Sequence, residues 1–138
     1  MKVKLNDVLE ALDFVDDETQ YYYNMKTEQV VMLLMDGMND EEDAELRDDI
    51  DENYEDYIVL PGKYEINEYA MMENFIDELN AVDKQDRLYS AIRSKGAFRR
   101  FKDSLFDLGL EKNWYQFRDD AYLKIATKWC EKNNIEMI

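Results

Sequence analysis

The chain has 138 residues, 46% of them hydrophobic and 13% aromatic, a proportion that calls for a packed core and excludes a disordered acidic tail. Its 33 acids against 17 bases give a formal net charge of −16, which argues against general affinity for nucleic acid or anionic membranes. Histidine is absent and Cys130 is the single cysteine, so disulfide scaffolds, Cys/His zinc sites, His-based triads and Cys–His nucleophile pairs are excluded.

Leu5, Val8, Leu9 and Leu12 fall at helical spacing and predict a helix over 6–14, with Asn6 as its N-cap. The β-rich runs Thr19–Tyr23 and Gln29–Leu34 predict a hairpin over 19–35. The connecting Asn24-Met25-Lys26-Thr27-Glu28 has hairpin length, and Asn24 suits the opening of a type I turn. No glycine stands there, so Glu28 or a neighbour has to take the left-handed position. Asp36-Gly37 closes the second strand. The run Asp40–Tyr57 carries eleven acids against one base, Arg47, with Ala44, Leu46, Ile50 and Tyr54 as a thin apolar stripe. It reads as a solvated helix at the core edge or a partly ordered excursion. Tyr57–Leu60 is a third strand, ended by Pro61-Gly62.

The remainder is helical. Ile66, Tyr69, Met72, Phe75, Ile76 and Leu79 mark a helix over 67–80, capped by Asn67, with Ile66 and Met71 at the positions of a hydrophobic staple. Asp83-x-x-Asp86 opens the next helix, with Leu88, Ala91 and Ile92 inward, and Gly96 interrupts it. Phe98, Phe101, Leu105 and Leu108 then share one face up to Gly109, a ready C′ residue. The last helix covers 111–133, with Trp114, Phe117, Ala121, Ile125 and Trp129 on one stripe. Ile135–Ile138 is an apolar tail free to pack or pair.

Strands early and helices late define an α+β fold: a small antiparallel sheet, hairpin plus one further strand, packed by several C-terminal helices in a single domain over 1–138. Leu5, Leu9, Leu12, Val31, Leu33, Ile58, Phe75, Leu79, Phe98, Phe101, Leu105, Phe117, Ile125 and Trp129 are the expected core. Charge is uneven. Residues 1–80 hold 24 acids and 5 bases, a net of −19, whereas residues 81–138 hold 9 acids and 12 bases, a net of +3. Either the halves attract each other, or the second half keeps a basic patch for an anionic partner. With no apolar leader, no spanning segment and one cysteine, a cytoplasmic location is expected.

Asp49-x-Asp51-x-Asn53 opens like a calcium loop, but Tyr54 stands where the turn needs glycine and Leu60 where a bidentate carboxylate is needed. Carboxylate pairs are unavoidable among 33 acids, and Ser90, Ser94 and Ser104 have no base marked out for them, so catalysis is not expected. No metal or cofactor is expected either. The most informative block is Ser94 to Asp103. There Arg99, Arg100 and Lys102 flank Phe98 and Phe101, and a break at Gly96 places these bases in the first turn of a helix, where the dipole disfavours cations. With Lys95 and Asp103, this block is either an anion site or a network satisfied by acids of the same chain. A second block holds Trp114, Tyr115, Phe117, Arg118 and Asp119; its spacing favours core packing with a charge network over nucleobase stacking.

These blocks are also where the chain resembles a family. Lys4-Leu5-x-Asp7, Glu68-Tyr69-x-x-Met72-x-x-Phe75, Lys95-Gly96-Ala97-Phe98-Arg99-Arg100-Phe101-Lys102-Asp103, Trp114-Tyr115-x-Phe117-Arg118-Asp119 and Trp129-Cys130 are similar to a bacterial family of unknown function, uncharacterised protein family 0158 of the UPF series. The resemblance spans nearly the whole chain. It implies a glycine in the hairpin loop, from which Glu28 departs, and it implies that the two arginine blocks belong to one site or one network. It lends no catalytic residue. The expected role is that of a small binding or regulatory protein. Its acidic surface would meet a protein partner, a basic one in the simplest case, with anion or single-strand binding through Arg99, Arg100 and Lys102 as the alternative. A homodimer is left open.

Overall fold

A computed structural model describes residues 1–35 and 41–138. In chain order the elements are β1 (Lys2–Val3), α1 (Leu5–Phe14), β2 (Thr19–Asn24), β3 (Gln29–Leu34), α2 (Glu41–Glu52), a 3₁₀ turn (Tyr54–Asp56), β4 (Tyr57–Val59), α3 (Lys63–Ile66), α4 (Glu68–Asp77), α5 (Val82–Ile92), α6 (Ala97–Leu108), α7 (Glu111–Lys132) and β5 (Glu136–Met137). The fold is α+β. The chain forms two compact units, one of residues 1–66 with 122–138 and one of residues 67–121.

The first unit contains both sheets. β2 is the centre of a three-stranded antiparallel sheet in the order β3-β2-β4, with Gln20 opposite Leu33 and Tyr23 opposite both Val30 and Ile58. The turn joining β2 to β3 is opened by Asn24, whose Oδ1 accepts from the amides of Lys26 at 2.9 Å and Thr27 at 3.3 Å. Glu28 takes the left-handed position at φ 58°. Tyr23 is fully buried; its ring meets the edge of Trp129 at 6.2 Å and its hydroxyl donates to Lys2 O at 2.7 Å. Trp129 Nε1–H in turn donates to Val59 O at 2.9 Å. One buried tyrosine and one buried tryptophan thus join the sheet, the first strand and the last half of α7. Each polar tip has a partner, as burial requires.

A second, parallel pair joins the chain ends: Lys2 lies opposite Glu136 and Val3 opposite Met137. The apolar tail therefore pairs. The strand it pairs with was not expected, because two residues carry no periodicity. This pairing also corrects the start of the first helix, which begins at Leu5 rather than after Asn6. Leu5 N–H donates to Ile138 O at 3.1 Å, so the tail satisfies one of the amides that a helix start leaves without an intrahelical partner. α3 is a further element that the apolar pattern did not announce. Its Glu65 reaches back to accept from the amide of Gly62, as in a capping box.

In the second unit α4 is capped as expected, with Asn67 Oδ1 accepting from Ala70 N at 3.1 Å. Phe75 packs edge to face with Phe101, Trp114 and Phe117, and Phe101 with Trp114, with centroids 4.9 Å apart for Phe101 and Trp114 and 5.4 Å for Phe75 and Trp114, while Trp114 and Phe117 lie stacked. Such contacts add about 0.5–1.5 kcal/mol each to the burial of the rings. Gly96 at φ 76° and Gly109 at φ 68° bound α6, a backbone that other residues adopt at a cost. Phe98 corrects the expected core: it lies in the first turn of α6 and is 47% exposed, whereas Phe101 and Leu105 are buried. The buried residues of the last helix also differ from the expected stripe: Trp114 in this unit, and Tyr122, Ala126, Trp129 and Cys130 in the first, with Phe117, Ala121 and Ile125 half-buried. Asp36-Gly37 and Asp40 lie outside the described residues.

Candidate anion-binding surface

Residues 87–102 contain Arg87, Arg93, Lys95, Arg99, Arg100 and Lys102 and no acid. They make up the last half of α5, the left-handed corner at Gly96 and the first half of α6. The local pairings divide the six bases. Arg87 Nη2 lies 2.7 Å from Asp107 Oδ2, tying α5 to α6. The Arg93 guanidinium stands over the Tyr89 ring at 5.2 Å, and the Tyr89 hydroxyl bonds Asp77. Arg100 Nη1 donates to Ser94 Oγ at 3.3 Å, and Ser94 Oγ donates to Ala91 O at 3.0 Å. Lys95, Arg99 and Lys102 are exposed and have no hydrogen-bond or ion-pair partner among the described residues.

The surrounding surface is aromatic. Phe106 is 71% exposed and Phe98 47% exposed. On α6 the order Phe98, Lys102, Phe106 steps by four, a single stripe on the helix surface. Arg99 and Asp103 flank it on the next turn of the wheel. The first turn holds no acid to complement the dipole.

The second block behaves differently. Trp114 is buried in the aromatic cluster, while Tyr115 and Asp119 are exposed. Arg118 is half-buried, and its Nε lies 2.6 Å from Glu68 Oε1. The two arginine blocks therefore meet through rings, Phe101 against Trp114, and Arg118 of the second is directed to Glu68 of α4. Sequence reasoning missed Glu68 as the partner of Arg118 and missed Phe106. Phe106 was legible: it falls off the apolar stripe of Phe101, Leu105 and Leu108, so an aromatic on the polar face was a signal in itself.

Elsewhere, Asp49 and Asp51 lie inside α2 rather than in a loop, and Asp49 accepts from Asn53 Nδ2 at 2.8 Å and from the Tyr57 hydroxyl. Among the described residues no group of three or more acids or cysteines is placed to hold a metal. An open cleft of about 440 Å³ between α1 and the hairpin is lined by Lys4, Asp7, Glu10, Phe14, Tyr21 and Gln29 among others, with charges of both signs. Among the described residues no helix is long and apolar enough to cross a membrane.

The elements define a small α+β chain with an acidic sheet-bearing unit and a helical unit that carries a basic, aromatic corner. It belongs to the uncharacterised protein family UPF0158, whose model matches residues 1–138. Among curated relatives it is 25% identical over 136 residues to a UPF0158 protein of Chlamydia muridarum, covering 95% of this chain and 40% of that protein. It is 23% identical over 138 residues to a UPF0158 protein of Pseudomonas aeruginosa, covering 99% of this chain and 86% of that protein. The chain thus spans about two fifths of the length of the chlamydial relatives it matches. No solved structure matches it. The family has no named function.

Proposed function

We propose that this chain is a binding protein rather than an enzyme, and that the α5–α6 corner holds an anionic partner. The observation that carries the reading is the set of exposed, unpaired bases Lys95, Arg99 and Lys102 in a sixteen-residue stretch free of acid. What sets these three apart is that they stand together beside exposed rings on a stretch with no acid of its own, in a chain that has 33 acids. The carboxylates whose acidity moves also favour binding over proton transfer. Asp16 is held below the usual carboxylate range by the Glu18 amide and the Thr19 hydroxyl, and Asp49 by the Tyr57 hydroxyl and Asn53. A general acid needs the opposite shift.

The test is retention on immobilised heparin at low salt. A chain of net charge −16 is retained only through a local patch, and elution should follow ionic strength. The Lys95→Ala, Arg99→Ala, Lys102→Ala triple variant should pass through unretained with its stability unchanged to within about 1 kcal/mol per site, as for exposed charges. Equal retention of both proteins, or a flow-through of the parent, rejects the reading.

A second reading rests on α2, which bears Glu41, Glu42, Asp43, Glu45, Asp48, Asp49, Asp51 and Glu52. Its one base, Arg47, donates to Leu34 O at 2.7 Å. This ridge suits a basic protein partner. Replacing Glu41, Glu45 and Asp48 by their amides should then weaken binding of a lysine-rich peptide more than replacing Asp83, Asp86 and Asp119. Equal effects mean charge alone. We place the protein in a reducing cytoplasm, where the buried thiol of Cys130, pushed up by its burial, stays free.

A further inference from the structure

Three features of α6 point beyond a plain anion site. The bases are interleaved with exposed rings, the rings sit on one stripe, and the cation between them is free of partners. Phe98 and Phe106 are eight residues apart, about 12 Å along the axis at 1.5 Å per residue, with Lys102 midway. A folded acidic peptide or a free phosphate has no use for two exposed phenyl rings at that interval. A duplex hides its base faces in the stack and offers only phosphates. An unpaired strand offers both: phosphates at regular spacing and aromatic faces that can turn outward.

We infer that the α6 surface binds single-stranded nucleic acid, with Phe98 and Phe106 each stacking a base and Lys102 and Arg99 pairing with the phosphates between and beside them. This rests on the anion-binding reading of the same corner and names the class of anion. Asp103 stands further round the same surface and repels phosphate, so the strand follows the Phe98, Lys102, Phe106 line with Arg99 at its edge and keeps off Asp103. The net charge of the whole chain does not preclude this. Residues 67–121 hold 11 acids and 9 bases, a net of −2, so the negative charge resides in the other unit. Attraction by the corner is felt within a Debye length of roughly 8–10 Å.

The experiment is fluorescence anisotropy of the full chain with a labelled thymidine oligonucleotide of about twelve residues. A duplex of equal length and a polyglutamate peptide serve as competitors. The single strand should bind, its affinity falling with salt, and each competitor should displace it less well than the unlabelled strand does at equal charge. Phe98→Ala and Phe106→Ala should each weaken binding at least about fivefold, the low end of a lost stacking contact. Phe106→Tyr should retain it, because the ring remains. The Arg99→Ala, Lys102→Ala double variant should lower the slope of log affinity against log salt by about 1.4, two contacts at roughly 0.7 each. Binding of the strand that is indifferent to Phe98→Ala and Phe106→Ala overturns the stacking proposal and leaves the anionic corner standing. So does equal competition by duplex or polyglutamate. No binding of any of the three polyanions at low salt overturns both.

Discussion

Glu28 and Tyr57 show what single residues of the first unit carry. Glu28 closes the hairpin in the left-handed region at φ 58°, where a side chain costs roughly 1 kcal/mol or more. Its carboxylate accepts from the Lys2 amide at 2.6 Å, an exposed bond that returns part of that cost. Glu28→Gly should therefore raise the free energy of unfolding by about 0.5 kcal/mol, and Glu28→Val should lower it by about 1 kcal/mol, read from urea midpoints. Tyr57 is pushed up to about 12, from 10.0, by burial first and then by its bond to Asp49. The folded state thus keeps the phenol protonated where the unfolded chain has lost the proton. That contribution is whole below pH 10 and is lost as pH rises through about 12. Asp49 works in the other direction. The Tyr57 hydroxyl holds its carboxyl low, so its contribution is present above its ordinary value of 3.8 and fades as pH falls through the lowered one. Tyr57→Phe should flatten both limbs: the alkaline loss of stability between pH 10 and 12 should shrink, and so should the acid loss below 3.8. An unchanged alkaline limb would assign that loss to other tyrosines.

At the scale of elements, α4 and α7 are tied by Arg118 and Glu68, whose side chains are 21% and 33% exposed. A pair in that position is worth more than a surface bridge and less than a buried one. Arg118→Ala and Glu68→Ala should each cost about 1–2 kcal/mol, and the double variant should cost clearly less than their sum, as measured in a double-mutant cycle. Strict additivity would mean that the two side chains do not support each other. The elements differ in how far the chain announced them. The hairpin was legible because β-rich runs flank a turn whose Asn24 bonds its own backbone, a purely local device. α4 was legible for the same reason, through Asn67. The start of α1 was not, because the group that meets its first amide is Ile138, at the far end of the chain. Phe98 was misplaced because helical phase says which side of α6 a ring occupies and not how far along the helix its packing partners reach. The basic corner was visible as composition, but Arg99 and Arg118 carry the same charge with different fates. Only the arrival of Glu68 from α4 separates them.

For the molecule as a whole, the two units carry very different charge. Residues 1–66 with 122–138 hold 22 acids and 8 bases, a net of −14, against −2 for residues 67–121. Much of the first value lies on α2, where like charges face each other along the helix. Glu41–Glu45, Glu45–Asp49 and Asp48–Glu52 stand four residues apart, and Glu42–Glu45, Glu45–Asp48, Asp48–Asp51 and Asp49–Glu52 stand three apart. Each such pair destabilises a helix by roughly 0.2–0.5 kcal/mol at low salt. Glu41, Glu42 and Asp43 recover something at the positive end of the dipole, whereas Asp51 and Glu52 add to the cost at the negative end. Exposed repulsion of this kind is screened once the Debye length shrinks to about 8 Å, near 0.15 M ionic strength. Relief on the order of 1 kcal/mol then corresponds to a melting temperature higher by about 4 °C for a chain of this size. We expect the melting temperature at neutral pH to rise by that amount from low to moderate salt, followed by circular dichroism. A variant with Glu45→Gln and Asp48→Asn should melt higher than the parent at low salt and respond less to added salt, because these two residues take part in six of those seven contacts. A melting temperature that stays flat or falls with salt would mean that bases already compensate the acids of α2, and the ridge would then be part of the fold's own charge balance rather than a surface held open for a basic partner.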